Sequence, residues 1–429
     1  MKIKKSRSLL YLITLFACMA LEGCRGDTPF IREEEEEIPG GGTQPVPPIE
    51  EEEIPGAGTG GTTIKGFYLL NEANMGSNKA SLDCFDYEKG KYLRNIYPLR
   101  NPQIVKELGD VGNDIAIYGD KLYAVINCSH YVEVMDVRTA KHLGSINVLN
   151  CRYIVFNEGK AYISSYAGPV QIDPNARPGK VVEVDTTNLS ITREVTVGYQ
   201  PEEMVIANGK LYVANSGGYR VPNYDKTVSV IDLASFTEMK RINVAVNLHR
   251  MKMDSQGNIY VTSRGDYYDI HSNTYVIDSK TDLVTDILGF PASELCIAGD
   301  SLYAYSTEWS HYTQQNTINY TIYDTKKKRI VSRNFITDGT DKLIQVPYCL
   351  EVNPETKEIF VSDARDYVTP GVLYCFSPPR QTEMESNNRR HPSASSIYKE
   401  RILNEPNYNK LTFIRIYNEK KNNGNQLYA

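Results

Sequence analysis

Between Gly66 and Phe376 the chain is written in short apolar and aromatic runs, each broken by polar turns rich in Gly, Asn and Asp. The clearest unit is GYQPEEMVIANGKLYVANSGGYRVPNYDKTVSVIDLASFTEMKRINV (198–244). It holds four strand-like runs, EEMVIA, KLYVAN, TVSVIDL and EMKRINV, and a tight NGK turn joins the first two. The second run recurs as KLYAVIN, KAYISS, KLYVAN, NIYVTS, SLYAYS and EIFVSD, preceded by GFYLLNE around Tyr68. The third recurs as SLDCFDY, YVEVMDV, KVVEVDT, TVSVIDL, TYVIDSK, NYTIYDT and GVLYCFS. Seven copies of a four-stranded unit predict an all-β chain folded as a seven-bladed β-propeller over residues 65–378. A single four-stranded sheet cannot bury both faces, so neighbouring sheets stack and the ring closes.

The two ends of the repeat do not match. The first copy begins at its second strand, and the last stops after its third, at Ser377-Pro378. From there Arg, Asn, Ser, Glu and Pro follow without a period. One permitted coding of Arg380–Tyr398, read one base over, gives GKLKWKVTTGDIPAHLAF. Its second part parallels VTVGYQPEEMVI (195–206) of this chain. The expectation is a frameshifted, irregular tail over 379–429, with the closing strands lost and the ring open. The alternative is a divergent extension.

Loop length separates the two faces of such a ring. Turns between first and second strands are tight (YGDK, NEGK, ANGK, AGDS). Loops between second and third strands are long and aromatic: SYAGPVQIDPNARPG, NSGGYRVPNYDK, SRGDYYDIHSN, STEWSHYTQQN and DARDYVTPG. They share a face with the blade-to-blade connections, and function sits on loops held by a rigid scaffold. That face carries Asn71, Tyr166, Tyr199, Tyr219, Tyr224, His249, Arg264, Tyr267, Tyr268, Trp309, Tyr348 and Asp366, which are the candidate ligand-binding residues. A wide polar-aromatic disc suits a large flat ligand rich in amides, held by stacking and hydrogen bonds. A glycan- or peptide-binding adhesin and an extracellular lyase or hydrolase are the alternatives. Asp363, Arg365 and Asp366 are the acid–base candidates for the last, but no nucleophile–His–acid set is legible, and no catalytic residue is assigned.

Charge and the N-terminus add a compartment. Lys2, Lys4, Lys5 and Arg7 precede an apolar run from Leu9 to Leu21, so residues 1–23 read as a signal peptide. LEGC before the cut resembles the lipobox of bacterial lipoproteins, which makes Cys24 the lipidation site; LFAC at Cys18 is the weaker alternative. Residues 24–64 carry two Glu runs (33–37 and 50–53) with many Gly and Pro, and they read as an acidic disordered tether. Those nine glutamates exceed the whole chain's net charge of −6, so the folded part is near neutral and nucleic acid is excluded as a partner. Of the remaining cysteines, none lies in a CxxC or at zinc spacing, and no metal site or cofactor is expected. Cys128 and Cys151 fall near one rim and form a candidate pair.

The words GFYLLNEANMGSNKASLDCFDY, ELGDVGNDIAIYGDKLYAVINCS, SSYAGPVQIDPNARPG, VGYQPEEMVIANGKLYVANSGGY, VPNYDKTVSVID, SRGDYYD and DARDYVTPGVLYCF closely resemble the BtuG surface propeller lipoproteins of gut Bacteroidota, within the YncE-like propellers. The resemblance spans about residues 66–377. It implies a seven-bladed propeller, lipid-anchored on the outer face of the outer membrane, that captures vitamin B12 and related corrinoids. It further implies transfer to a TonB-dependent cobalamin transporter (BtuB-like), with cobalamin as cargo rather than cofactor. For His249 it implies a polar contact, or an approach to the cobalt.

Overall fold

The computed structural model describes residues 51–53, 64–104, 107–310, 315–376 and 411–418. Seven antiparallel sheets form a seven-bladed propeller, as the repeat requires. From the axis outward, blade 2 is Gly112–Tyr118, Lys121–Ile126, Tyr131–Asp136 and His142–Asn147. Blade 3 runs Cys151–Asn157, Lys160–Ser165, Lys180–Asp185, Ile191–Thr196. Blade 4 runs Pro201–Ala207, Lys210–Asn215, Thr227–Asp232, Thr237–Asn243. Blade 5 runs Leu248–Met253, Asn258–Ser263, Asn273–Asp278, Leu283–Ile287. Blade 6 is Glu294–Ala298, Ser301–Ser310, Gln315–Asp324 and Arg329–Ser332, and blade 7 is Pro347–Val352, Ile359–Asp363 and Val372–Phe376. Among the described residues no helix is long and apolar enough to cross a membrane.

Two repeated side chains build each blade. The aromatic of the second strand (Tyr68, Tyr123, Tyr162, Tyr212, Tyr260, Tyr303, Phe360) is buried between sheets. Where it is tyrosine, the ring fills apolar space and the hydroxyl can still find a polar partner. Tyr68 donates to the carbonyl of Val137 in blade 2 at 2.7 Å, and Tyr212 to that of Ser279 in blade 5 at 3.0 Å, so each ties its blade to the next. The third strand ends in an aspartate whose carboxylate accepts the backbone N–H groups of the following turn. Asp136 takes Arg138 and Thr139, Asp278 takes Lys280 and Thr281, and Asp324 takes Lys326 and Lys327. This local bond reverses the chain into the outer strand. In blade 7 the described third strand ends at Phe376, and in the sequence Ser-Pro follows it instead of an aspartate.

Three expectations need correction. The ring is not left open: Leu411–Asn418 is the inner strand of blade 1, antiparallel to Ile64–Asn71, with Tyr68 opposite Arg415 and Leu69 opposite Ile414. The closing strand lies some thirty residues beyond Phe376 rather than directly after Pro379, and LTFIRIYN carries the β-branched and aromatic residues that favour a strand. The rest of 379–429 lies outside the described residues, as do the signal peptide, Cys24 and most of the tether. Within the tether, Glu51–Glu53 pairs with Lys91–Leu93 and adds a fifth strand to blade 1. A sheet edge offers unpaired N–H and C=O groups to any extended segment, polar or not. Finally, STEWSHYTQQN is no simple loop: the blade 6 hairpin continues past Ser306 through Thr307↔Ile318, Glu308↔Thr317, Trp309↔Asn316 and Ser310↔Gln315.

Closure by a C-terminal strand makes a direct prediction. A chain ending at Asn407, which lacks Leu411–Asn418, should lose about 2 kcal/mol or more and melt about 4 °C or more lower. An unchanged melting curve followed by circular dichroism would show that this strand does not clasp the ring.

Candidate functional site

The site begins with a one-residue irregularity at the start of the inner strands. In blade 2 the register slips between Gly112 and Asp114, in blade 3 between Cys151 and Ile154, in blade 4 between Pro201 and Met204. Blade 5 slips between Leu248 and Met251, and blade 7 between Pro347 and Leu350. Each is a β-bulge, with two residues opposing one, and a bulge re-aims side chains near the rim of a closed sheet. The unpaired N–H is met by a hydroxyl on the second strand: Tyr153 N–H donates to Ser164 Oγ (3.1 Å), Arg250 to Thr262 Oγ1 (3.0 Å) and Cys349 to Ser362 Oγ (2.9 Å). The bulges present Asn113, Arg152, Glu202, His249 and Tyr348 at equivalent places, at the end of each inner strand nearest the long loops.

Those residues form a buried ionic mouth. Arg152 donates Nε and Nη2 to Glu202 Oε2 (3.2 and 3.0 Å), and its Nη1 donates to Asn113 Oδ1. Tyr166 closes the other oxygen of Glu202, donating to Oε1 at 2.6 Å beneath the Arg152 guanidinium. One residue further in, Arg250 pairs with Glu294 at 2.7 Å and donates to the Tyr153 hydroxyl at 2.8 Å. Lys252 pairs with Glu203, whose Oε2 also accepts Met251 N–H in the next blade at 2.7 Å. His249 sits among these groups, its Nε2 3.2 Å from the Tyr153 hydroxyl. Burial, and then the charges of Arg264, Arg250, Arg152 and Lys252, hold its imidazole well below the ordinary histidine range, so it is neutral. Burial likewise pushes the Glu294 carboxyl up, against the pull of Arg250.

A second device fixes the loops above this mouth. The residue before the inner strand is left-handed in blades 3, 4 and 5: Asn150 (φ 48°), Gln200 (φ 47°) and Asn247 (φ 57°). Their buried amides reach into the long loop of their own blade. Asn150 Nδ2 donates to the carbonyl of Gly168 (2.7 Å), Asn247 Nδ2 to that of Gly265 (3.2 Å), and Gln200 Oε1 accepts Tyr219 N–H (3.0 Å). Asp266 accepts Tyr268 and Ile270 N–H, and Asp366 accepts Val368 and Thr369 N–H. The latter bonds lower the Asp366 carboxyl to about 2.

The candidate residues fall into three groups. Tyr166, His249 and Arg264 belong to the mouth, with Arg264 Nη1 4.0 Å from Glu202 Oε1. Tyr219, Tyr267 and Tyr268 project from neighbouring loops, 36%, 60% and 80% exposed, and Tyr219 packs edge-on to Tyr166. Tyr199 is half-buried under the Arg220 guanidinium, and Tyr224 is half-buried. Trp309 lies on the blade 6 hairpin. The remainder serve the scaffold. Asn71 is buried and donates to Ser81, Tyr348 donates to Glu72 Oε2 at 2.6 Å, and Asp366 ties its own loop. Asp363 is likewise a cap, accepting Gln345, Val346 and Arg365 N–H. Cys128 and Cys151 are free thiols, so the candidate pair is not formed. Among the described residues no group of three His, Cys, Asp or Glu side chains is placed to hold a metal.

Arg152, Tyr153, Glu202, Arg250 and Glu294 escaped the sequence reading. Their signal was a polar pair at the head of an otherwise apolar inner strand (CRY, PEE, LHR, SEL). An open groove of about 1430 Å³ lies on the opposite face, lined by tight turns such as 207–209 and 254–258. Its charges are mostly engaged within the protein, as in Lys160–Asp185 and Arg193–Glu183.

Two outcomes follow from the mouth. Glu202→Ala should destabilise the protein by about 3–5 kcal/mol in denaturant titration, because it strands the buried Arg152. An effect below about 1 kcal/mol would mean that water already screens the pair. His249 has a folded-state pKa below its unfolded value of 6.5, so the unfolded chain binds more protons below that pH. Stability should therefore fall as pH drops below about 6.5, by up to about 1.4 kcal/mol per unit from this group, and His249→Gln should remove that component.

The fold resembles that of a functionally unknown protein from Desulfotomaculum acetoxidans, at 9% identity over 72% of this chain and 92% of that one, with a TM-score of 0.50. It also resembles a quinonprotein alcohol dehydrogenase-like protein from Bacteroides thetaiotaomicron, at 14% identity over 73% of each chain and a TM-score of 0.50. At such identities the likeness is one of fold. No curated protein matches the sequence. A family model does match, over residues 65–374, and the chain belongs to that family, described as domain of unknown function DUF5074.

Proposed function

We propose that this protein captures corrinoids, vitamin B12 among them, on the long-loop face and holds them without chemical change. The observation that carries the reading is the juxtaposition of exposed tyrosines with a polar mouth. Tyr219, Tyr267 and Tyr268 stand free of the core on the loops of two adjacent blades, beside hydrogen-bonding groups fixed by a buried network. A corrin is broad, flat and fringed with amides, so aromatic faces and many donors and acceptors suit it. The resemblance of the loop words to the corrinoid-binding propellers supports the same ligand class.

The signal-like segment and Cys24 support a lipid anchor at the outer face of the outer membrane. Delivery to a TonB-dependent transporter is the corresponding next step.

Calorimetric titration of the purified protein with cyanocobalamin tests the reading. Alanine at Tyr219, Tyr267 or Tyr268 should weaken binding by about 2 kcal/mol each, roughly thirtyfold in Kd. Met239→Ala, on the outer strand of blade 4, should leave it unchanged. Absence of binding heat, or losses below about 0.5 kcal/mol at all three tyrosines, would reject the assignment of ligand or of face.

A further inference from the structure

Two cations of the mouth, Arg152 and Arg264, share a single carboxylate, Glu202. Four cations surround His249: Arg152, Arg250, Lys252 and Arg264. Three carboxylates answer them, one each, with Arg152 on Glu202, Arg250 on Glu294 and Lys252 on Glu203. Arg264 is the remaining cation. Its nearest carboxylate oxygen, Glu202 Oε1, is 4.0 Å away, beyond hydrogen-bond length, and already accepts Tyr166 OH at 2.6 Å. The Arg264 side chain is 34% exposed while Glu202 is 1% exposed, so the less fully answered cation is the one open to solvent.

A guanidinium matches two oxygens of one oxyanion with a pair of parallel N–H bonds. Arg152 flanks the same carboxylate with three of its five N–H groups engaged, which leaves two for a second contact. One cation without a carboxylate of its own is complemented by one negative charge. A monoanion fits; a dianion would leave the site over-neutralised in a low-dielectric setting.

We propose that Arg264, backed by Arg152, forms an anion site at the lip of the mouth that takes the phosphodiester group of the ligand. The proposal rests on the corrinoid reading above, and it makes Arg264 the residue that distinguishes complete cobalamins from corrinoids lacking the nucleotide loop. It also gives the charged mouth a role that stacking tyrosines cannot fill, because aromatic faces do not select for a phosphodiester.

The test compares cyanocobalamin, which carries one phosphodiester, with dicyanocobinamide, which carries none. The protein should bind the first at least about tenfold more tightly. Arg264→Gln should bring that ratio close to one, while the melting temperature stays at the wild-type value. A ratio near one in the wild type, or a ratio that survives Arg264→Gln, overturns the proposal. Free phosphodiester is the second arm: dimethyl phosphate should show ³¹P line broadening with the wild type and none with Arg264→Gln. Broadening without any corrinoid binding would reject the ligand class and keep the anion site. Corrinoid binding without either the ratio or the broadening would reject the anion site alone.

Discussion

The β-bulge at the head of the inner strands is the constraint on which the site depends. A regular strand alternates its side chains between the two faces of its sheet, so two neighbours would point toward different adjacent blades. The extra residue breaks that alternation and admits polar pairs, Arg152-Tyr153, Glu202-Glu203 and His249-Arg250, at one level of the ring. The break leaves a backbone N–H unpaired, and Ser164, Thr262 and Ser362 supply the hydroxyl that satisfies it. Once polar groups are admitted so deep, they must be answered almost completely, since a half-satisfied buried network is worse than an apolar one. The pairing of Arg152, Arg250 and Lys252 with Glu202, Glu294 and Glu203 follows from that requirement. Carboxylates near this level also tie blades together, as Asp114 does by accepting Ile154 N–H at 3.0 Å and Glu203 does with Met251 N–H.

Ring closure obeys the same geometry. The C-terminal strand slips register between Asn71 and Leu70, opposite Leu411 and Phe413, and so reproduces the irregularity of the other inner strands at the same height. Blade 1 is therefore assembled from both ends of the folded chain, with Leu411–Asn418 at the axis and Glu51–Glu53 at the periphery. Blade 7 has three strands among the described residues. The sequence after its third strand, Ser-Pro, lacks the aspartate that leads other blades into their outer strand.

What was legible in the sequence was whatever repeats locally. The aromatic of the second strand, the Asp that ends the third and the long second-to-third loops are short-range signals with a fixed offset, and the blades follow from them. Features decided by distant partners were not. Leu411–Asn418 carries strand propensity, but nothing near it says that its partner is Ile64–Asn71. Glu51–Glu53 reads as solvated tether, and becomes a strand because an edge at Lys91–Leu93 is there to be covered. Trp309 reads as a loop residue because polar Thr, Glu and Ser flank it, yet backbone pairing across a hairpin does not require apolar residues. The ionic mouth was half legible. His249 and Arg264 stood out as polar residues near long loops, whereas Arg152 and Glu202, placed by bulges, and Glu294, on a regular strand, looked like ordinary strand heads.

The loops above the mouth break local rules in a consistent direction. Tyr267 (φ 67°) and Tyr367 (φ 61°) hold the left-handed backbone that favours Gly or Asn, and both follow an aspartate, Asp266 or Asp366, whose carboxylate fastens the next turn. An aromatic side chain in that conformation costs the fold of order 1 kcal/mol. Neither residue recovers it through the core, since Tyr267 is 60% and Tyr367 40% exposed. The aspartates hold the strain in place, so the rings are presented rather than left to sample many positions. Presenting a rigid aromatic lowers the ordering entropy lost when a flat partner arrives, and that gain appears only in a complex. The scaffold thus fixes the mouth by burial and the loop backbone by strained, capped turns, two independent ways of ordering one face.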